Sequence, residues 1–205
     1  RSSPRAKRVD AWYFIQNPKG FFLPTPRPGR FAPRRPPRYT TGRMRAYVGV
    51  GTNLGDRWAR LALAARALRA APRVAVVRAS RVWDTAPVGP PQPRYLNAVL
   101  ELETALPPRA LLAALQAVER EALRRRDLRW GARTLDLDLL LHGAIVLDEP
   151  GLRLPHPGMA ARRFVLAPLA ELAPALVVPG TGATVARLLE AAPPADLAPA
   201  GRYPL

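Results

Sequence analysis

The stretch Arg129-Trp-Gly-Ala-Arg-Thr-Leu-Asp-Leu-Asp-Leu-Leu140 alternates leucine with aspartate in its second half. Successive side chains of a β-strand point to opposite faces of the sheet. The alternation therefore predicts a strand over Thr134–Leu141, with Asp136 and Asp138 on one face and the leucines on the other. The Cα atoms of the two aspartates would lie about 7 Å apart, so that both carboxylates can reach the same one or two cations.

Carboxylate oxygens suit Mg²⁺, especially when phosphate oxygens complete its coordination. An isolated Asp-x-Asp pair is more often the solvent-facing side of a strand. Here the neighbours favour phosphate chemistry, because arginines bind phosphate oxygens in pairs and several precede the carboxylates. The alternative for these arginines is a solvated helix end, where cations are also favoured. The arginines that precede the carboxylates are Arg124, Arg126, Arg129 and Arg133, and the flat side chain of Trp130 lies among them in the sequence.

The sequence around this strand predicts an alternation of strands and helices. A loop is predicted for Thr85–Pro93 because four of its residues are prolines. After the acidic strand we expect a short hairpin to Ala144–Leu147 and short helices at Phe164–Ala173 and Thr184–Ala191. The strands predicted upstream are Ala46–Gly51, Val74–Trp83 and Tyr95–Thr104, and the helices are Arg57–Ala70 and Pro108–Arg125.

This order, β-α-β-β-α-β, predicts an α+β fold of the ferredoxin-like type. We expect an antiparallel-containing sheet with helices packed on one face. The 205 residues suffice for one compact domain, and an apolar fraction of 48% supplies a core.

Residues 1–43 differ in composition from the rest of the chain. They contain eight prolines, 11 lysines or arginines and one acid. Proline fixes φ and lacks a backbone donor, so we expect a disordered, basic, Pro-rich leader outside the folded functional domain. We also expect Met44 to be the natural start and 44–205 to form the functional domain.

Composition narrows the classes of function. The chain has no cysteine, which excludes disulfides and thiolate metal sites. No apolar run approaches the roughly 18 residues of a membrane span. The net charge of +17 is compatible with nucleic-acid binding. We instead attribute the charge to the leader and to arginines that meet a small phosphorylated ligand, and we expect a cytoplasmic monomer without nucleic-acid or membrane partners.

The quoted stretch resembles the signature of the 6-hydroxymethyl-7,8-dihydropterin pyrophosphokinase family. The resemblance covers about residues 46–180. Ala132 stands where the signature commonly has proline, and Leu123 where a glycine often precedes the first loop arginine, which leaves open whether Arg124 or Arg125 contacts phosphate. Four other segments resemble the family in the same order: Gly49–Gly55, Thr85–Gly89 with Tyr95–Asn97, Gln116–Glu119 and Pro155–Phe164.

The resemblance implies an enzyme of folate biosynthesis with a ferredoxin-like fold. Such an enzyme moves the β,γ-pyrophosphoryl group of ATP to the hydroxymethyl oxygen of the pterin and releases AMP. ATP would be the co-substrate and two Mg²⁺ ions the cofactors.

The resemblance also implies roles for individual residues. Asp136 and Asp138 would bind both Mg²⁺ ions, and together with Arg126 and Arg133 they would be the catalytic residues. The pterin would contact Gly51, Asn53, Thr85, Pro87, Tyr95, Asn97, Trp130 and Phe164. ATP would contact Gln116, Glu119, Arg124, Arg126, Trp130, Arg133, His156 and Arg162.

Two other classes of protein share some of these sequence features. A nucleotidyltransferase also uses an Asp-x-Asp strand, but it should carry a Gly-Ser pair shortly before the carboxylates. The nearest match here, Gly51-Thr52, lies far upstream. An RNA-binding module needs several exposed aromatic residues interleaved with basic ones on a sheet, and residues 44–205 have few.

Overall fold

The computed structural model of the chain describes residues 13–16, 22–25, 42–88, 90–122 and 134–205. By contacts the chain divides into two compact units, Arg1–Thr40 and Thr41–Leu205. In the first unit, strands β1 (Tyr13–Gln16) and β2 (Phe22–Thr25) form an antiparallel hairpin. That this leader is otherwise disordered stays a prediction.

The second unit confirms the β-α-β-β-α-β order. Its main sheet is antiparallel with the strand order β10-β5-β6-β3-β7, and β4 also pairs with β6. No helix in the described part of the chain is long and apolar enough to cross a membrane. The elements are β3 (Met44–Thr52), α1 (Arg57–Ala70), β4 (Val74–Ala79), β5 (Arg81–Thr85), β6 (Tyr95–Thr104), α2 (Pro108–Glu121), β7 (Asp136–His142), β8 (Leu147–Glu149), β9 (Leu152–Leu154), a 3₁₀ turn (Met159–Ala161), α3 (Arg163–Leu172), α4 (Val185–Ala191) and β10 (Leu197–Arg202).

Helices cover both faces of this sheet, whereas the sequence predicted helices on one face only. On the first face, Leu61 of α1 and Leu115 of α2 belong to the same buried cluster as Leu100 of β6. On the second face, Leu166 of α3 belongs to a separate cluster with Val99 of β6. The apolar run at the end of β7 is consistent with this arrangement, because strands buried on both faces lose their alternation.

The strand predicted over Val74–Trp83 is broken at Ser80. The Ser80 Oγ accepts the N–H of Val99 at 2.9 Å and donates to the carbonyl of Arg81 at 2.7 Å. A serine side chain that bonds nearby backbone groups competes with the regular ladder. The result is two short strands, β4 and β5, that both pair with the longer β6.

Two features near the C-terminus differ from the sequence expectations. The predicted hairpin from the acidic strand to Ala144–Leu147 is wrong, because β8 pairs with β9 instead. The Pro150-Gly151 dipeptide, a strong turn signal, connects these two strands. Strand β10 was not predicted, since Pro199 interrupts any strand pattern, yet proline is tolerated in an edge strand.

His142 ends β7 and is almost completely buried. Its Nε2 lies 2.9 Å from the carbonyl oxygen of Leu106, and its Nδ1 has no hydrogen-bond partner within the described ranges. Burial lowers the pKa of His142 below the ordinary value of a histidine. At about pH 6.5 this histidine therefore begins to bind a proton in the unfolded chain. In the folded protein it binds that proton only at a lower pH.

We expect the free energy of unfolding to decrease as the pH falls below about 6.5, because protonation then favours the unfolded chain. The contribution of His142 should be complete above that pH and should be lost progressively below it. Urea unfolding between about pH 5 and pH 7.5 would measure this slope. The His142→Phe variant should show a flatter slope than the parent protein, whereas an unchanged slope would assign the effect to other groups.

Candidate functional site

The candidate site lies at one end of the second sheet face, where three strands bring polar side chains and glycines together. Residues that pair across antiparallel strands project from the same face. Gly51 of β3 pairs with Asp136 of β7 on one side and with Asn97 of β6 on the other. Two residues along β3, Gly49 pairs with Asp138. The two glycines form a floor without side chains, beside an acidic wall that consists of Asp136 and Asp138.

Opposite the acidic wall lies a second group, the amide wall, which consists of Thr85, Tyr95 and Asn97. The Asn97 Nδ2 donates to Thr85 Oγ1 at 2.7 Å, and Thr85 pairs with Tyr95 across the two strands. A Cβ atom added at Gly51 would lie only 2.8 Å from Asn97 Oδ1. The Asn97 amide therefore extends over the floor at Gly51, and the absence of a side chain there is what makes room for it.

Gln92 links the amide wall to the loop after β3, although sequence reasoning did not select it. Its Oε1 accepts hydrogen bonds from the Tyr95 hydroxyl at 2.9 Å and from Asn53 Nδ2 at 3.2 Å. Asn53 is buried and also donates to the carbonyl of Pro93 at 3.0 Å. Gln92 lies in a Pro-rich loop without periodicity, so no pattern in the sequence marked it. Pro87, predicted to be in the same site, is half-buried in this loop.

His156 faces the acidic wall. Its Nε2 lies 3.9 Å from Asp138 Oδ1, and the N–H of Gly158 donates to its Nδ1 at 3.2 Å. Because Nδ1 accepts this bond, we assign the proton of the neutral imidazole to Nε2, towards Asp138. The pKa of His156 is lowered, chiefly by burial and also by Arg162, although the nearby carboxylates oppose the shift. The histidine is thus a neutral hydrogen-bond donor near pH 7.

Arg162 and Phe164 lie at the start of α3. The guanidinium carbon of Arg162 is 5.9 Å from the centre of the Phe164 ring. It also packs over Gly158, where an added Cβ would lie 2.6 Å from the same carbon. His156, Arg162 and Phe164, which the sequence predicted as ligand-binding residues, are therefore connected through this turn.

Glu119 and Gln116 lie on α2, which covers the opposite face of the sheet. Gln116 is exposed, whereas Glu119 is only 4% exposed. The Glu119 Oε1 accepts the backbone N–H of Leu137 at 2.8 Å. Leu137 lies between the two residues of the acidic wall, so this carboxylate fixes the backbone of β7 at the point where that wall is built.

The remaining predicted residues lie outside the described part of the chain. They belong to the segment that joins α2 to β7. The described end of this segment is held by Thr52, whose Oγ1 donates to the carbonyl of Thr134 at 2.6 Å. The predicted residues concerned are Arg124, Arg126, Arg129, Trp130 and Arg133.

The chain is similar to known proteins in both sequence and fold. The family model for 7,8-dihydro-6-hydroxymethylpterin-pyrophosphokinase matches residues 47–174. A protein of Pseudomonas aeruginosa named 2-amino-4-hydroxy-6-hydroxymethyldihydropteridine pyrophosphokinase is 48% identical over 151 residues, which are 73% of this chain and 93% of that protein. A protein of Synechocystis with the same name is 42% identical over 71% of this chain and 74% of its own length.

Solved structures support the fold. A crystal structure of Plasmodium falciparum HPPK-DHPS aligns with a TM-score of 0.58 at 12% identity, over 73% of this chain. A second structure of that protein aligns with a TM-score of 0.57 at 14% identity, over 74% of this chain. In both cases the alignment spans only 43% of the longer solved chain, and at this identity the similarity concerns the fold alone.

Proposed function

This chain belongs to the 7,8-dihydro-6-hydroxymethylpterin-pyrophosphokinase family, and we propose that the sheet face with Gly51 at its floor is the active site. The chain is an ATP-dependent pyrophosphokinase that acts on a hydroxymethyldihydropterin. The hydroxymethyl oxygen loses its proton to solvent and forms a bond to the β-phosphorus of ATP, the bond from that phosphorus to the α,β-bridging oxygen breaks, and AMP leaves. We place this reaction in folate biosynthesis.

One observation carries the assignment of the site. The register of three strands puts Asp136, Gly51 and Asn97 in a single row on one sheet face. Neighbouring antiparallel strands are about 5 Å apart, so the acidic and amide walls are separated by about 10 Å at their Cα atoms. That width accommodates a flat ring on the amide side and phosphate oxygens on the acidic side.

We assign the pterin to the amide wall. The ring carries donors and acceptors along its pyrimidinone edge, and a side-chain amide supplies both kinds of partner. Asn97 is positioned for this role by its bond to Thr85. Tyr95 and Phe164 supply aromatic faces for stacking. Asn53 and Pro87 complete the side of the pocket formed by the loops, and Trp130 would contact the same ligand.

We assign Mg²⁺ and the phosphates of ATP to the acidic wall. Asp136 and Asp138 share a face and offer hard oxygen ligands, and the Asp138 side chain is 41% exposed. No cluster of three or more His, Cys, Asp or Glu side chains that could hold a metal occurs among the described residues. Two carboxylates leave coordination positions of a Mg²⁺ ion that oxygens of phosphate and water would fill. Bound Mg²⁺ would neutralise phosphate charge and polarise the attacking hydroxyl.

Charge that moves between phosphate oxygens during transfer requires donors on the protein. His156 offers its Nε2–H beside Asp138, and Arg162 lies within electrostatic range of His156. Such positioned donors contribute most to catalysis in phosphoryl-type transfer. Arg126 and Arg133 would act in the same way, with Arg124 on the nucleotide. Gln116 and Glu119 lie on α2, across the sheet from the acidic wall, so they would contact the nucleotide only around the edge strand β7.

The test is product identification. The protein is incubated with Mg²⁺, ATP labelled at the α-phosphate, and 6-hydroxymethyl-7,8-dihydropterin. We expect labelled AMP and an unlabelled pterin diphosphate. If the pterin instead acquires the label and pyrophosphate is released, the protein is a nucleotidyltransferase and the proposed reaction is wrong.

We further propose that residues 44–205 suffice for this activity and that the enzyme acts as a cytoplasmic monomer without nucleic acid or membrane. All described parts of the proposed site lie in that segment. Activity and light-scattering mass of a chain that begins at Met44 would test both points. Activity that requires residues 1–43, or the mass of a dimer, would contradict them.

A further inference from the structure

Arg94 lies at the centre of a charge network behind the amide wall. Its Nε donates to Asp84 Oδ1, and its Nη1 donates to Asp196 Oδ2 at 2.6 Å. Arg57 joins this network, because its Nη1 donates to the carbonyl of Arg94 at 3.0 Å and lies 3.5 Å from Asp84 Oδ2. The network thus contains two guanidinium groups and two carboxylates, and it joins α1, the ends of β5 and β6, and the residue before β10.

Arg94 and its two carboxylate partners each lie next to a strand at this end of the sheet. Asp84 directly precedes Thr85, and Arg94 directly precedes Tyr95. Asp196 directly precedes β10, and its carbonyl accepts the N–H of Ala86 at 2.9 Å. The C-terminal segment is therefore tied to the two strand ends that form the amide wall.

The network lies on the opposite side of the sheet from the amide wall. Asp84 pairs with Leu96, which is buried in the core beneath α1, whereas Thr85 pairs with Tyr95 on the face of the site. Since side chains alternate along a strand, Asp84 projects away from the proposed ligand. A residue in this position can act on the ligand only through the wall that it supports.

The end of this strand pair needs such support. Thr85 and Tyr95 are the last paired residues before the Pro-rich loop, which contains Pro87, Pro90, Pro91 and Pro93. Proline offers no N–H for a ladder bond. Beyond this last pair, the end of β5 is held by the backbone bond from Ala86 to Asp196, and the interactions of Arg94 with Asp84 connect the ends of β5 and β6 to each other.

We propose that Arg94 is a positioning residue for the pterin, with Asp196 as its C-terminal partner, and that it holds Thr85 and Tyr95 at the separation that the ring requires. This inference rests on the proposed function of the amide wall. Exposed ion pairs contribute little to global stability, and the Asp196 side chain is 71% exposed. Loss of the network should therefore affect pterin binding far more than folding.

The experiment compares steady-state kinetics of the full chain and its variants. Arg94→Ala should raise the KM for the pterin about five- to tenfold, because small displacements of ligand-contacting groups weaken binding strongly. The KM for ATP, the kcat and the thermal midpoint should stay close to those of the parent protein. Arg94→Lys should restore part of the loss, because the ammonium can still pair with one carboxylate. Asp196→Asn, at the exposed end of the network, should give a smaller rise.

Arg109→Ala is the matched control, since Arg109 makes a comparable exposed ion pair with Glu149 at 2.5 Å elsewhere on the surface. It should leave both KM values unchanged. A pterin KM that is unchanged in Arg94→Ala and Asp196→Asn would overturn the inference, as would an equal rise in the KM for ATP. If Arg94→Ala fails to fold, the pterin KM values of Arg94→Lys and Asp196→Asn test the inference instead.

The Tyr95→Ala variant tests the assignment of the amide wall separately from the role of Arg94. If it raises the pterin KM while the Arg94 variants do not, the amide wall is correctly assigned and only the role of Arg94 is wrong. If Tyr95→Ala also leaves the pterin KM unchanged, the assignment of the amide wall is wrong and the inference fails with it.

Discussion

Replacement of Asp136 or Asp138 by alanine should lower kcat by about a thousandfold or more, because each carboxylate would hold the metal that neutralises the phosphate charge, an interaction of several kcal/mol. The fold should persist. The two side chains project from the same face of β7 and are partly exposed, so the loss of one relieves repulsion between like charges. The thermal midpoint should stay within about 2 °C of that of the parent protein.

The measurement is AMP release at saturating ATP, Mg²⁺ and pterin, together with the thermal midpoint of each variant. Asp148→Ala is the control, because Asp148 is an exposed carboxylate on β8 that pairs with Arg153 at 2.6 Å. It should retain the full kcat. Variants of Asp136 and Asp138 with nearly normal turnover would show that the acidic wall is only a solvent-facing side of the strand.

Gly51→Ala should impair pterin binding severely while it preserves most of the stability. The new Cβ would lie 2.8 Å from Asn97 Oδ1, and the clash can be relieved by rotation of the Asn97 side chain. That rotation breaks the 2.7 Å bond to Thr85 and turns the amide away from the floor. We expect the KM for the pterin to rise at least about tenfold, as one lost or misdirected hydrogen bond to a ligand costs about 1.5 kcal/mol or more.

Gly49→Ala provides the matched control on the same strand and face. A Cβ there would lie 3.5 Å from the Leu140 side chain, which is an ordinary van der Waals distance. This variant should keep the pterin KM of the parent protein. Steady-state kinetics with the pterin as the varied substrate would measure the KM of both variants. Equal pterin KM values for Gly51→Ala and Gly49→Ala would show that the Asn97 amide does not define the pocket.

Much of the fold could be predicted from local pattern. Helix α1 and strand β6 have the predicted bounds, because the spacing of apolar residues along each segment reports its own secondary structure. The sequence did not predict that α3 and α4 cover the second face of the sheet. A short amphipathic helix shows that it buries one side, but its sequence does not state which surface it packs against.

The site, like the fold, could be predicted only where it depends on local pattern. The sequence placed Asp136 and Asp138 on one face, since alternation along a strand is a local property. It could not show that Glu119 of α2, which was assigned to ATP, accepts a hydrogen bond from the backbone N–H of Leu137. Nor did it indicate Gln92, whose partners come from β6 and from the loop after β3.

The sequence by itself determined the order of the elements, the family and the chemical character of the residues at the site. The tertiary structure decided which of those residues meet. Strand register alone puts Gly51 between Asp136 and Asn97. The ion pair of Arg94 with Asp196 joins residues 102 positions apart. Periodicity extends over a few residues, whereas such contacts depend on how the whole chain folds back on itself, and no local pattern encodes that path.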